Sequence, residues 1–302
     1  MKRLALLALL ALGALCASAQ TQPSYQGLWW NAPGGSESGW GVNITHQGNI
    51  IFATWFTYDT DGKGIWLVVP RAELLQMGDG DDGMGMGMGM GMGEGMGMGM
   101  AMSDTNEYYG SVYRTTGPAF DAASFDPAAV TTTEVGLAAF RFTAAGSGTF
   151  SYDVNGVSTT KAIVRQAFGT MPACNFRGAA SGFQDLWWNG SESGWGLNLT
   201  QEGNVMFATW FTYGRDGKGM WLVASDVREA TPGTWTGALY STTGPAFNSV
   251  WDSTKVKVNG VGSITLSFNG MSSGTMTAVV NGTTVTKQIT RQVFASPASM
   301  CR

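Results

Sequence analysis

Residues 28–69, LWWNAPGGSESGWGVNITHQGNIIFATWFTYDTDGKGIWLVV, return almost whole as residues 186–224, LWWNGSESGWGLNLTQEGNVMFATWFTYGRDGKGMWLVA. With one gap at Ala32, Pro33 and Gly34, 29 of 39 paired positions are identical. The match resumes downstream, where YRTTGPAF at 113–120 answers YSTTGPAF at 240–247, and KAIVRQAF at 161–168 answers KQITRQVF at 287–294. Two domains of one kind follow.

Within each copy, apolar and polar residues alternate in short runs separated by Gly, Asn or Asp, and no segment keeps a 3.6-residue apolar period. The chain therefore reads as all-β. Strands are expected near 27–31, 39–46, 49–58, 64–71, 108–115, 136–143, 148–154 and 158–168 in the first copy. The second copy predicts the same eight near 185–189, 194–201, 204–213, 219–225, 235–242, 261–268, 274–280 and 283–294. Gln47-Gly48-Asn49, Asp61-Gly62-Lys63 and Asn155-Gly156 fall between strands, where hairpin turns need residues tolerant of positive φ. Eight hairpin-linked strands suit an antiparallel meander closed into a barrel, because closure leaves no open edge. A β-sandwich is the alternative. The expected division is a leader at 1–19, a first domain at 20–174 with an insertion at 76–104, a linker at 175–184 and a second domain at 185–302. So short a linker predicts a side-by-side pair.

The pattern ESGWG, ATWFTYD, DGK and WLV resembles a repeat of secreted proteins of Gram-negative bacteria, often in tandem, which has no settled biochemical activity. The resemblance implies an extracytoplasmic β module and no particular chemistry. Gly27-Leu28-Trp29 with the late Arg165 is also similar to the calycin pattern of lipocalins and avidins, which implies a first-strand Trp packed beneath an Arg of the last strand. The second copy departs from that pattern with Asp185 in place of Gly27.

Residues 1–19, MKRLALLALLALGALCASA, join two basic residues, a Leu/Ala-rich run and a small-residue end, which reads as a secretory leader. No later stretch approaches the roughly 18 apolar residues of a membrane-spanning helix. A secreted or periplasmic protein is expected. Leu15 before Cys16 argues against a lipid anchor. Cys174 and Cys301, which close the two copies at equivalent places, are expected to pair in an oxidising compartment, two free thiols being the alternative. A net charge of −4 argues against nucleic acid as a partner.

Trp30, Trp40, Trp55 and Trp66, with their counterparts Trp188, Trp195, Trp210 and Trp221, are the candidate ligand-binding residues. Adjacent Trp29 and Trp30 must face opposite sides of a strand, so one of them lies outside or at a rim. Aromatic platforms flanked by Asn, Thr and Gln suit a glycan, a small amphipathic ligand or another envelope protein. An aromatic core with a domain interface explains the same residues without a ligand.

Glu37 and Glu192 recur in SESGWG, and ion pairs Glu37–Arg165 and Glu192–Arg291 are expected of them. Glycoside hydrolysis through Glu37 or Glu192 is a distant third reading, because neither repeat offers a convincing second carboxylate: Asp61 and Asp216 recur but are explained by a hairpin turn. The single histidine, His46, faces Gln201 in the other copy, which excludes repeated histidine chemistry, and reads as a surface residue at a strand end. TTGPAF reads as a turn and edge-strand element, since Pro118 and Pro245 cannot donate to a ladder. A non-enzymatic binding protein without a cofactor is the leading expectation.

Met84, Met86, Met88, Met90, Met92, Met96, Met98, Met100 and Met102 alternate with small residues in an insertion between the fourth and fifth strands. Thioethers are soft ligands, and this spacing puts successive sulfurs on one side of an extended chain, so copper(I) is the alternative ligand. A tolerated low-complexity expansion explains the tract without a ligand, and is favoured because the second copy lacks the tract and no His or Cys lies inside it. Copper(I) titration against a competing chelator separates the two: ligation predicts uptake that deletion of residues 84–102 abolishes, and expansion predicts no difference.

Overall fold

The structure, a computed structural model, describes residues 23–75, 106–176 and 181–301. Strands β1 (Gly27–Asn31), β2 (Gly41–Gln47), β3 (Ile50–Tyr58), β4 (Gly64–Leu74), β5 (Glu107–Thr116), β6 (Thr131–Ala144), β7 (Ser147–Val154) and β8 (Val157–Arg165) pair antiparallel in chain order. β8 returns to β1 through Trp29 opposite Arg165, which closes a barrel. After β9 (Cys174–Asn175), a second barrel repeats the plan with β10 (Asp185–Trp188), β11 (Gly196–Glu202), β12 (Val205–Tyr213), β13 (Gly219–Thr231), β14 (Thr234–Thr243), β15 (Lys257–Phe268), β16 (Ser273–Val280) and β17 (Thr283–Arg291). β18 (Met300–Cys301) pairs with β9, and the expected Cys174–Cys301 disulfide joins them. The two barrels expected from the repeat are present, and the sandwich is not formed. The leader and the methionine tract lie outside the described residues, as does part of the linker.

Alternation explains why each sheet closes. Val42 lies opposite Trp55 and Trp55 opposite Leu67, so these apolar side chains share the inner face. The first interior is filled by rings: Trp55 lies 5.3 Å from Phe150 and 4.4 Å from Tyr152, and Phe140 stacks on Phe150 at 5.0 Å. Trp187, Trp210, Leu266 and Met276 fill the second. Eight strands leave a lumen that side chains can occupy, and here they do.

The outer face of β3 is buried as well. Phe56 lies 5.6 Å from Trp221, and its counterpart Phe211 lies 5.1 Å from Trp66. The Trp66 indole donates to the Thr212 carbonyl at 2.8 Å, and the Trp221 indole donates to the Thr57 carbonyl at 3.1 Å. Every such contact has its counterpart, so the barrels meet about an approximate twofold axis. At the far end of β2, Gln47 accepts from the Phe294 and Ala295 amides, and Glu202 accepts from those of Phe168 and Gly169.

TTGPAF corrects one expectation. Its Thr-Thr ends β5 and β14, but Pro118 and Pro245 lie beyond the strands, and the following chain crosses to the other barrel instead of forming an edge. Gly117 N–H donates to Gly217 and Phe120 N–H to Tyr213; reciprocally, Gly244 N–H donates to Gly62 and Phe247 N–H to Tyr58, all at 2.9–3.0 Å. These two arms, 117–130 and 244–256, carry Phe120 to 5.8 Å from Trp210 and Phe247 to 5.6 Å from Trp55. Each barrel is thus capped by its neighbour. The glycines of the motif are needed for the approach, because a Cβ on Gly117 or Gly244 would press into the ring of Tyr213 or Tyr58.

Phe120→Ala should therefore destabilise the protein by about 3 kcal/mol, the range of buried aromatic truncations, and Phe247→Ala, whose ring is only partly buried, should cost less. Gly117→Ala and Gly244→Ala should cost about 1–3 kcal/mol by overpacking. Urea denaturation monitored by tryptophan fluorescence measures all four, and changes below about 0.5 kcal/mol would show that the arms carry no stability.

Candidate functional site

The eight candidate tryptophans separate into four positions. Trp55 and Trp210 are inside the barrels, and Trp66 and Trp221 lie in the interface between them. Trp40 and Trp195 sit at the barrel mouths. These six are no more than 7% exposed, so they present no open platform. Trp30 and Trp188 are half-buried on the outer faces, while Trp29 behind Trp30 is fully buried, as the alternation of a strand requires.

Trp30 borders a cleft of about 360 Å³ between the barrels. Leu28 and Gly41 of the first barrel face Phe207 and Val223 of the second across it, and the second barrel's arm and β15 add Val256 and Val258 at one side. Ser38, Gln166 and Thr209 supply hydroxyl and amide groups. None of the lining residues is ionisable. Trp30 is held from behind by Gly34, where a Cβ would stand 3.1 Å from the indole; Gly34 belongs to the three residues the second copy lacks. Sequence reasoning singled out Trp30, Trp40 and Trp221 but missed Phe207, Val223 and Gln166, although all three are repeated as Phe52, Val68 and Gln292. Val258 had no signal, since Thr132 occupies its place in the first copy.

The expected Glu37–Arg165 and Glu192–Arg291 pairs do not form. Glu37 instead accepts from Lys161 at 2.6 Å and from the Trp40 indole at 2.9 Å, and Glu192 accepts from Lys287 at 2.8 Å and from the Trp195 indole at 3.1 Å. The reason is geometric: Lys161 and Lys287 lie four residues before the arginines, toward the mouths where the glutamate loops sit. The Lys161 ammonium is also 5.3 Å from the centre of the Trp40 ring. The same loops contain Gly39 and Gly194, at φ +117° and +130°, whose carbonyls accept from the Tyr58 and Tyr213 hydroxyls at 2.7 and 2.6 Å. Side chains there would also strike Val256 and Val130 of the opposite arms.

The arginines serve the other end. Arg165 lies 5.4 Å over Trp29 and Arg291 5.1 Å over Trp187, an arginine of the last strand against a tryptophan of the first. Arg291 also pairs with Asp185 at 2.9 Å, and burial raises the Asp185 carboxyl to about 6 despite that partner. Among the described residues no group of three or more His, Cys, Asp or Glu could hold a metal ion. The nine methionines considered for copper lie outside them.

His46 is not at the surface. It is fully buried, stacked on Tyr25 and edge-on to Tyr108 and Phe176. Its Nδ1 accepts from the Tyr25 amide at 3.2 Å, just as the side chain of Gln201 accepts from the Phe183 amide at 2.7 Å. With Nδ1 an acceptor, the neutral ring carries its proton on Nε2, 3.1 Å from the Tyr108 hydroxyl.

Burial pushes the His46 pKa from 6.5 to about 3. Its folded-state pKa lies below the unfolded value, so its contribution is complete above pH 6.5 and is lost as pH falls toward 3. Asp185, raised from 3.8 to about 6, runs the other way: its burial costs stability increasingly as pH rises from 3.8 to 6. Only a difference measurement separates the two. His46→Gln keeps the acceptor for Tyr25 and should gain stability relative to wild type as pH falls from 6.5 to 4, a trend that urea midpoints at each pH would show. A constant difference across that range would contradict the buried neutral ring.

Comparison of the chain with protein-family models, curated proteins and solved structures finds no match.

Proposed function

We propose that the protein is an exported, non-enzymatic binding module that takes a small amphipathic ligand in the cleft between its barrels. The observation that carries this reading is the cleft itself, about 360 Å³ with an apolar, aromatic lining and a few amide and hydroxyl groups. That volume and that composition are typical of small-molecule sites. Buried apolar side chains crowd both lumens, which favours the cleft over a barrel interior as the place for a ligand. A glycan or envelope-protein platform would draw on open tryptophans, and only Trp30 and Trp188 of the eight offer partial surface. The non-enzymatic reading is supported by Glu37 and Glu192, each held by a lysine and an indole in separate barrels. Export is supported by the leader-like start and by the Cys174–Cys301 bond. Among the described residues no helix is long and apolar enough to cross a membrane.

A thermal-shift screen of small uncharged amphiphiles tests the reading. A ligand at about 100 times its Kd should stabilise the protein by about 2.7 kcal/mol. Trp30→Ala should weaken the hits by about 10–100-fold, as loss of an aromatic anchor does. No stabilisation across the panel, or hits indifferent to Trp30→Ala, would refute the cleft as the binding site.

A further inference from the structure

The approximate twofold axis gives the cleft a counterpart on the other side of the molecule. All but two of its lining positions carry the same residue there, the exceptions being Ser253 and Val258, which correspond to Pro127 and Thr132. Two sites of nearly one chemistry are nevertheless occupied differently. On the second side, a Cβ on Gly196 would stand 2.5 Å from Cζ of Phe211, so the Phe211 ring rests directly on that glycine. On the first side, a Cβ on Gly41 would meet only the Trp29 carbonyl at 3.2 Å and Leu28 at 3.5 Å; the Phe56 ring, the counterpart of Phe211, is not over it. Phe56 lines the cleft from the side, with its ring 5.6 Å from Trp221.

We infer that the cleft binds one uncharged aromatic ring per chain, seated on Gly41 as the Phe211 ring is seated on Gly196. This rests on the cleft being the binding site. Phe211 is a worked example, within the same chain, of what that set of side chains accommodates: a flat, apolar six-membered ring lying on bare backbone. Glycine is needed at the floor because any side chain would take the place of the ring. The absence of ionisable groups from the lining selects against a charged ligand, whose desolvation nothing there would offset. Phe56 is then the gate, since the pose of Phe211 would place its ring on Gly41 and shut the cleft. Ligand and Phe56 compete for one space, and a second equivalent is refused because Phe211 already fills the other.

The test uses the intact protein and N-phenyl-1-naphthylamine, an uncharged aromatic dye that brightens in apolar surroundings. The expected result is binding of one equivalent, weakened about ten-fold or more both by Gly41→Leu, which fills the floor, and by Val258→Arg at the exposed rim. Benzyl alcohol should displace the dye more effectively than 1-hexanol, and the anionic analogue 8-anilinonaphthalene-1-sulfonate should not compete. Absence of dye binding, or binding unaffected by both variants, would refute the cleft as a site and this inference with it. Variant-sensitive binding with two equivalents, with equal displacement by 1-hexanol, or with effective competition by the sulfonate would overturn the single-ring inference while leaving the cleft reading intact.

Discussion

Neither barrel closes its own mouth, and the rest of the structure follows from that. β3 and β12 are apolar on both faces, so each barrel has an outer wall that water cannot be left to cover. The two walls bury each other, and the arms that leave β5 and β14 reach across to cap the opposite lumen. On the second barrel's side core and interface are one apolar body: Phe56, Tyr58, Trp66 and Phe120 of the first domain belong to the cluster that fills the second barrel, while the first barrel keeps its own core.

This arrangement explains which residues the two copies share. In FATWFTY, alanine and the tryptophan face the lumen, and the second threonine lies in the same inward row. The first threonine, the second phenylalanine and the tyrosine face the neighbour. GSESGWG supplies the carboxylate for the lysine of the last strand and the glycine carbonyl for the tyrosine. DGKG receives the other arm, and TTGPAF is that arm. Burial pushes the Tyr58 and Tyr213 phenols up to about 12, in keeping with their place in a closed seam. A motif kept in both halves of a symmetric pair reports on the contact between the halves at least as much as on any ligand.

The barrels were legible because a period of two and regular turns leave little choice of fold, and strand limits such as 27–31 and 50–58 agree with expectation within a residue. What was not legible depends on partners distant in sequence. Lys161 and Arg165 stand four residues apart on one face of one strand, and the pairing of β8 with β1 decides which of them lies at the mouth beside Glu37. His46 reads as exposed because it ends a strand, yet Tyr25, Tyr108 and Phe176 enclose it from three separate stretches. The cleft was hidden for a subtler reason. Its lining is nearly the same as that of its counterpart, and the difference lies in the rotation of one phenylalanine, which no sequence pattern encodes.

The bond between β9 and β18 also changes the topology of the chain. From Cys174 to Cys301 the polypeptide forms a covalent ring that contains the entire second barrel, while the first barrel hangs from it by its last strand. A protease that cuts once within the second barrel opens the ring without releasing a fragment, and the capping arm at 244–256 stays tethered to the domain it caps. A single cut in the first barrel separates everything before it, and that piece is then held by non-covalent contacts alone.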